Sequence, residues 1–74
     1  MTKTIYSKDH KFLVERLKKA RIEENIDQKK AAELLGKTQS FISKIEAGQR
    51  RIDVVQLKEF ARVYKKSLSY FIKK

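Results

Sequence analysis

Four side chains between positions 39 and 44 could form hydrogen bonds to the edges of DNA bases. On a helical wheel with about 100° per residue, they share one side with Ala47, and that side has no long acidic and no large aliphatic residue. Gln and Lys can bond to base edges in a major groove, and small residues allow a close approach. An ordinary solvated helix face would more often mix Glu with Lys. The four candidate base contacts are Gln39, Ser40, Ser43 and Lys44.

The opposite side of this helix is apolar and would pack into a core. It carries Phe41, Ile42 and Ile45. Thr38 is a suitable N-cap, and Gly48 is a suitable residue to end the helix. We therefore expect a short amphipathic helix over residues 39–47.

A second short helix should precede it. Asp27 is a suitable N-cap for a helix over residues 28–35, and Gly commonly ends a helix, as Gly36 would here. Two short helices joined by a turn of three residues that contains Gly form a helix-turn-helix unit, here residues 28–47. The unit alone is a weak signal, because many helix pairs share it. Its inward-facing residues would be Ala31, Ala32 and Leu35.

Three further helices should flank this pair. The first begins after Ser7 and fades near Asn25, another begins after Asp53, and a final turn or two follow Ser67. Capped segments with apolar residues at helical spacing predict an all-α chain of five short helices. The expected core stripes are Leu13, Leu17 and Ala20 in the first of these helices and Val54, Leu57, Phe60, Ala61 and Tyr64 in the second, and the final turn holds Leu68, Phe71 and Ile72.

The composition limits the chemistry that is available. The 74 residues leave room for one small domain, and we expect residues 1–7 to form a flexible arm and residues 8–74 to form that domain. The absence of Cys removes disulfides, thiol nucleophiles and thiolate metal sites, and a single His cannot build a His cluster. We therefore expect no enzyme activity, no metal, no cofactor and no small-molecule ligand.

The charge indicates a polyanionic partner. The chain carries 19 Lys and Arg against 9 Asp and Glu, a net charge of +10, although solubility alone is an alternative explanation. Residues 1–36 carry a net +3 and residues 37–74 a net +7. No run approaches the roughly 18 apolar residues that span a bilayer, and none reads as a signal peptide. We expect a cytoplasmic protein without membrane contact, associated with the nucleoid when bound to DNA.

The run from Asp27 to Gly48, DQKKAAELLGKTQSFISKIEAG, resembles the lambda repressor/Cro-like (XRE-type) helix-turn-helix family. The shared features are a Gln that opens the second helix, an Ala-Leu-Gly core and the closing Ile-Ser-Lys-Ile-Glu-x-Gly pattern. The resemblance covers about residues 13–72. It implies a compact five-helix domain, with the helix-turn-helix formed by helices two and three, that binds operator DNA, usually as a two-fold dimer.

The resemblance also implies roles for individual residues. Arg21 and Glu46 would form a structural salt bridge between the first helix and the end of the third. Gln28 would lie beside a phosphate and could brace Gln39. The implied backbone contacts are Gln28, Lys29, Lys37, Thr38, Gln49, Arg50 and Arg51, and the implied dimer interface is Tyr70, Phe71 and Ile72.

We therefore expect a prokaryotic or phage transcriptional regulator, a repressor or controller protein that binds a palindromic operator in double-stranded DNA as a homodimer. An antitoxin-like protein-interaction module with secondary DNA binding is the alternative. Residues outside the core stripes, namely Val55, Val63, Tyr70 and Ile72, could form its surface. A basic membrane-surface peptide is disfavoured, because the helices are short and capped.

Overall fold

Five α-helices make up the fold in the computed structural model, which describes residues 8–73. The helices are α1 (Lys8–Glu23), α2 (Gln28–Leu35), α3 (Gln39–Glu46), α4 (Val54–Tyr64) and α5 (Leu68–Ile72), and residues 8–73 contain no strand. The predicted all-α fold class is confirmed. The predicted N-cap Ser7 and the arm over residues 1–7 lie outside the described residues.

Side-chain caps determine where the three central helices begin. The Asp27 carboxylate and the Thr38 hydroxyl each accept a hydrogen bond from the backbone N–H three residues further on, at 2.8 and 3.1 Å. Asp53 and Gln56 form a reciprocal capping box ahead of α4. Each cap satisfies a backbone donor that the first turn leaves without a helical partner. Ser67 differs from the prediction: it precedes α5 without a side-chain capping bond, and its hydroxyl lies 3.0 Å from that of Ser69.

Left-handed residues follow α1, α2 and α4. Asn25 (φ 60°) follows α1, and Gly36 (φ 68°) caps α2 and starts the short turn into α3. A glycine adopts this conformation without steric cost. Lys65 caps α4 at φ 57°, which costs a residue with a Cβ about 1 kcal/mol.

The core lies where all five helices meet. Ala31 and Ala32 are buried on α2, and their small side chains allow α3 to pack closely against that helix. The buried residues of the other helices are Leu17, Ala20, Ile42, Ile45, Leu57, Phe60, Ala61, Tyr64 and Phe71. Every helix thus contributes at least one buried side chain, which is what the apolar stripes predicted.

Val54 was expected in the core but lies outside it. It is 64% exposed because it occupies the first position of α4, before the turns that reach the core. Ile72, at the last position of α5, is 63% exposed, in line with its place outside the predicted core stripes. Phe71 requires the opposite correction. It was assigned to a dimer interface, but it is fully buried in the monomer core and offers no surface to a partner.

Polar and aromatic contacts hold α5 against α1. Lys66 Nζ lies 2.8 Å from a carboxylate oxygen of Glu23. Hydrogen bonding to Lys66 lowers the pKa of the Glu23 carboxyl below its usual value. The guanidinium carbon of Arg16 lies 4.9 Å from the ring centroids of both Phe12 and Tyr70, a cation–π geometry that joins the two helices.

A bidentate ion pair ties α1 to the end of α3. Arg21 Nε donates to Glu46 Oε2 at 2.7 Å, and Arg21 Nη2 donates to Glu46 Oε1 at 3.1 Å. A third donor, Arg21 Nη1, bonds to the carbonyl of Ile26 at 2.8 Å, and Gln28 Nε2 donates to Glu46 Oε1 at 3.1 Å. The side chains of Arg21 and Glu46 are only 11% and 6% exposed. The network therefore joins α1, the loop after it, α2 and α3 at one partly buried point.

Beside this network lies Tyr64, the largest fully buried side chain. Its ring packs against Phe60, with centroids 5.6 Å apart. Burial raises the pKa of its hydroxyl well above the usual value, so the group stays neutral. Within the described residues this hydroxyl has no hydrogen-bond partner. Its contribution to stability therefore comes from the ring.

We expect Arg21→Met and Glu46→Met each to lower the free energy of unfolding by about 3 kcal/mol, because each leaves one buried charge without its partner. The double variant should lose less than the sum of the two. Urea unfolding followed by circular dichroism measures all three. Lys30→Met is the control, since the Lys30–Glu33 pair is exposed and contributes less than about 1 kcal/mol. Additive losses would contradict direct pairing.

We expect Tyr64→Phe to keep the stability of the wild type or to raise it by up to about 1 kcal/mol, since it removes a buried hydroxyl that lacks a partner. Tyr64→Ala should instead lose about 3–5 kcal/mol, because it leaves a cavity in the core. Thermal and urea unfolding report both values. A clear loss of stability in Tyr64→Phe would mean that the hydroxyl is hydrogen-bonded.

Candidate nucleic-acid interface

One face of α3 is open to solvent and the other lies in the core. Ile42 and Ile45 are buried, and together they fix the rotation of the helix about its axis. The remaining face carries the side chains that were predicted to contact bases. All four, Gln39, Ser40, Ser43 and Lys44, are exposed, as is Ala47 at the end of the helix.

The exposed face of α3 carries positive but no negative charge. Glu46 is the one acidic residue of this helix, and its carboxylate points to Arg21. Within residues 8–73, Lys44 takes part in no ion pair, so its ammonium group stays available to a partner. A helix with side chains is about 10–12 Å wide, which is close to the roughly 12 Å width of the major groove of B-DNA.

Exposed cations lie on both sides of α3 along the chain. Lys37 precedes the helix, and Arg50 and Arg51 follow it. Residues 37–51 contain four basic residues and one acidic residue, a net +3, and that acidic residue is the buried Glu46. The segment therefore presents only positive charge to solvent. The other side chains that were predicted to touch the DNA backbone, Lys29, Thr38 and Gln49, are exposed as well.

Gln28 differs from the expectation. Its side chain is half-buried, and its amide nitrogen bonds to Glu46 rather than bracing Gln39. The reason is geometric, since the start of α2 lies beside the end of α3, where Glu46 is held by Arg21. Gln28 thus belongs to the buried network that positions α3.

Sequence reasoning missed a cluster around Phe41. The Arg50 guanidinium carbon lies 4.8 Å and the Lys37 ammonium nitrogen 5.4 Å from the centroid of this ring. The ring itself lies nearly parallel to that of Phe60, with centroids 6.5 Å apart. The helical wheel assigned Phe41 to the core side, and it contained no signal that residues on both sides of the helix converge on one ring.

Other kinds of site find little support in the part of the chain that the structure describes. It holds no group of three or more His, Cys, Asp or Glu side chains that could bind a metal ion. None of its helices has both the length and the apolar character needed to cross a membrane. The exposed face of α3 and the cations around it are therefore the candidate site.

Comparison with known proteins agrees with this geometry. A helix-turn-helix family model matches residues 17–71, from the middle of α1 into α5, and so includes the whole α2–α3 pair. Neither the curated proteins nor the solved structures contain a significant match. The matched region covers most of the chain and holds both the buried and the exposed face of α3. The chain belongs to the XRE/lambda repressor-like helix-turn-helix family of DNA-binding transcription regulators.

Proposed function

We propose that this regulator acts in the cytoplasm, where it binds a palindromic operator as a two-fold homodimer and represses or controls transcription. The observation that carries the proposal is the exposed polar face of α3, which has cations on both sides and no free carboxylate. A partner with regularly spaced negative charges and hydrogen-bonding edges fits this face. Double-stranded DNA has both features.

We expect the side chains of α3 to contact the bases and so to recognise the base sequence. The amide of Gln39 can bond to the N6/N7 edge of an adenine, and Lys44 can donate to O6 and N7 of a guanine. Ser40 and Ser43 are small enough to let the helix approach the bases and can bond to either kind of edge. The buried Ile42 and Ile45 hold this face outward, so the helix itself does not have to be reoriented when it binds.

We expect the residues on either side of α3 to contact the DNA backbone. Phosphate contacts fix the register of a protein on the duplex without reading the sequence. Lys37 and Thr38 lie before α3, and Gln49, Arg50 and Arg51 lie after it. The proposed backbone contacts are Gln28, through the start of α2, and Lys29, Lys37, Thr38, Gln49, Arg50 and Arg51.

Dimerisation through the end of α5 would place two copies of α3 in successive major grooves, about 34 Å apart. Two residues support this surface. Ile72 exposes most of its side chain at the end of α5, and the half-buried Tyr70 is fixed there by Arg16 and Lys66. Phe71 lies beneath them in the core and supports the surface from inside.

An antitoxin-like interaction module with secondary DNA binding is the second candidate function. The observation that favours it is the adjacent pair Val54 and Val55, each nearly two-thirds exposed at the start of α4. Such a pair could take part in a contact with another protein. Failure to prefer any duplex over random DNA would favour this candidate over the operator-binding regulator.

We expect Gln39→Ala and Arg51→Ala to weaken DNA binding in different ways. A duplex selected by the protein from a random pool serves as the probe, and it should contain an inverted repeat. Gln39→Ala should lose about 1–3 kcal/mol on this duplex and relax the preference at one base position of each half-site. Arg51→Ala should weaken the selected and random duplexes alike.

Titration with salt provides the second readout of the same pair. Arg51→Ala should make the slope of log K against log salt shallower by about 0.9 for each phosphate that the variant no longer neutralises, and Gln39→Ala should leave it unchanged. Lys18→Ala, which removes an exposed cation on α1, is a charge-matched comparison for Arg51→Ala. If the Gln39 and Arg51 variants behave identically in both assays, the division between base-contacting and backbone-contacting residues is wrong.

We expect Ile72→Glu to weaken self-association by about tenfold or more, because it places a carboxylate without a partner in an apolar contact. Sedimentation at several concentrations, with and without the selected duplex, measures this. Val55→Glu is the matched control, since Val55 is 65% exposed on a different helix and should leave the dimer intact. A wild-type chain that stays monomeric at high micromolar concentration on operator DNA would contradict the dimer.

A further inference from the structure

Phe41 lies between two cations that are distant along the chain. Lys37 is four residues before it and Arg50 nine residues after it, yet both cationic groups lie within 5.4 Å of its ring centroid. Attraction between a cation and the face of an aromatic ring extends to about 6 Å. One ring therefore holds a charge from the turn before α3 together with a charge from the segment after it.

The ring of Phe41 is held in place by packing against the core. Phe41 is half-buried, and its ring lies nearly parallel to that of the buried Phe60. Phe60 packs in turn on Tyr64, deep in the core. The position of Phe41 is thus determined by α4, and the ring is a fixed support for two long, flexible side chains.

The kind of contact matters for binding an anion. A carboxylate partner would cancel the charge of Lys37 or Arg50 and would have to be displaced by a phosphate. An aromatic ring leaves the charge in place, and a guanidinium on a ring face keeps its in-plane N–H groups free to donate. The ion pairs within the described residues use Arg21, Lys30, Lys65 and Lys66, so neither cation at Phe41 is taken up by a carboxylate.

We propose that Phe41 is a positioning residue for DNA binding: its ring holds Lys37 and Arg50 in place on either side of the exposed face of α3, ready for phosphates. The inference rests on the proposed DNA-backbone contacts of these two residues. Ordering the two side chains before binding reduces the conformational entropy that complex formation would otherwise lose. Phe41 itself needs no contact with DNA in this arrangement.

The test is a cycle of variants measured by DNA affinity. Phe41→Leu keeps an apolar side chain against Phe60 but removes the aromatic face. This variant should bind the selected duplex and random duplexes about threefold to tenfold more weakly, because it removes the cation–π attraction that positions both cations. In a Lys37→Gln/Arg50→Gln background the same substitution should have almost no effect. Phe41→Tyr keeps the aromatic face and should restore binding close to that of the wild type.

A measurement without DNA tests the geometry directly. Aromatic rings shift the resonances of protons above their faces upfield, so the side-chain Hε of Arg50 should be shifted upfield in the wild type and in Phe41→Tyr. The shift should disappear in Phe41→Leu. Circular dichroism confirms that each variant is folded at the temperature of the assays. The wild-type spectrum decides the geometry even if Phe41→Leu does not fold.

Four outcomes would overturn the inference. An unshifted Arg50 Hε in the wild type would mean that the guanidinium does not rest on the ring in solution. Equal weakening by Phe41→Leu with and without the two cations would mean that Phe41 acts through packing alone. Unchanged affinity in Phe41→Leu, with wild-type binding intact, would overturn this inference but leave the proposed function standing. A wild type that binds no duplex would overturn both.

Discussion

The orientation of α3 depends on the Arg21–Glu46 ion pair. Two hydrogen bonds from one guanidinium to one carboxylate fix both the distance and the plane of the contact, which a single point charge would not do. The same guanidinium bonds to the Ile26 carbonyl and the same carboxylate accepts from Gln28, so the loop after α1 and the start of α2 are joined to the end of α3. Ile42 and Ile45 are buried on the adjoining side of α3. Only one rotation of α3 about its own axis allows all of these contacts at once.

The pair also determines the electrostatics of the exposed face of α3, the proposed DNA-binding face. Glu46 belongs to the helix that would enter the groove, where a carboxylate would repel phosphates. Because Glu46 points to Arg21, its negative charge is compensated on the inner side of the helix. Lys44 and the cations on either side of α3 then present positive charge alone. One buried contact therefore serves two purposes: it holds the helix in place and removes the one unfavourable charge from its exposed surface.

Local signals were interpreted correctly, and the long-range Arg21–Glu46 pair was predicted correctly from the family resemblance. The caps at Asp27, Thr38 and Asp53 act on backbone groups three residues away, so their effect can be read within a single turn. Gly36 ends α2 for an equally local reason, namely its freedom to adopt a positive φ. Burial at the ends of helices was harder to predict. The apolar periodicity that places Leu57 in the core also includes Val54, but within the described residues no neighbouring helix covers the Val54 side chain.

The helices, their order and the polar face of α3 could be predicted from the order of the amino acids, because helix propensity, capping and periodicity act over a few residues. Three features emerged only from the packed fold: Phe71 is core, Gln28 bonds to Glu46, and Lys37 and Arg50 share the ring of Phe41. These outcomes depend on the angles at which helices cross. The crossing angles arise from the packing of all five helices at once, and no window of the chain contains that information.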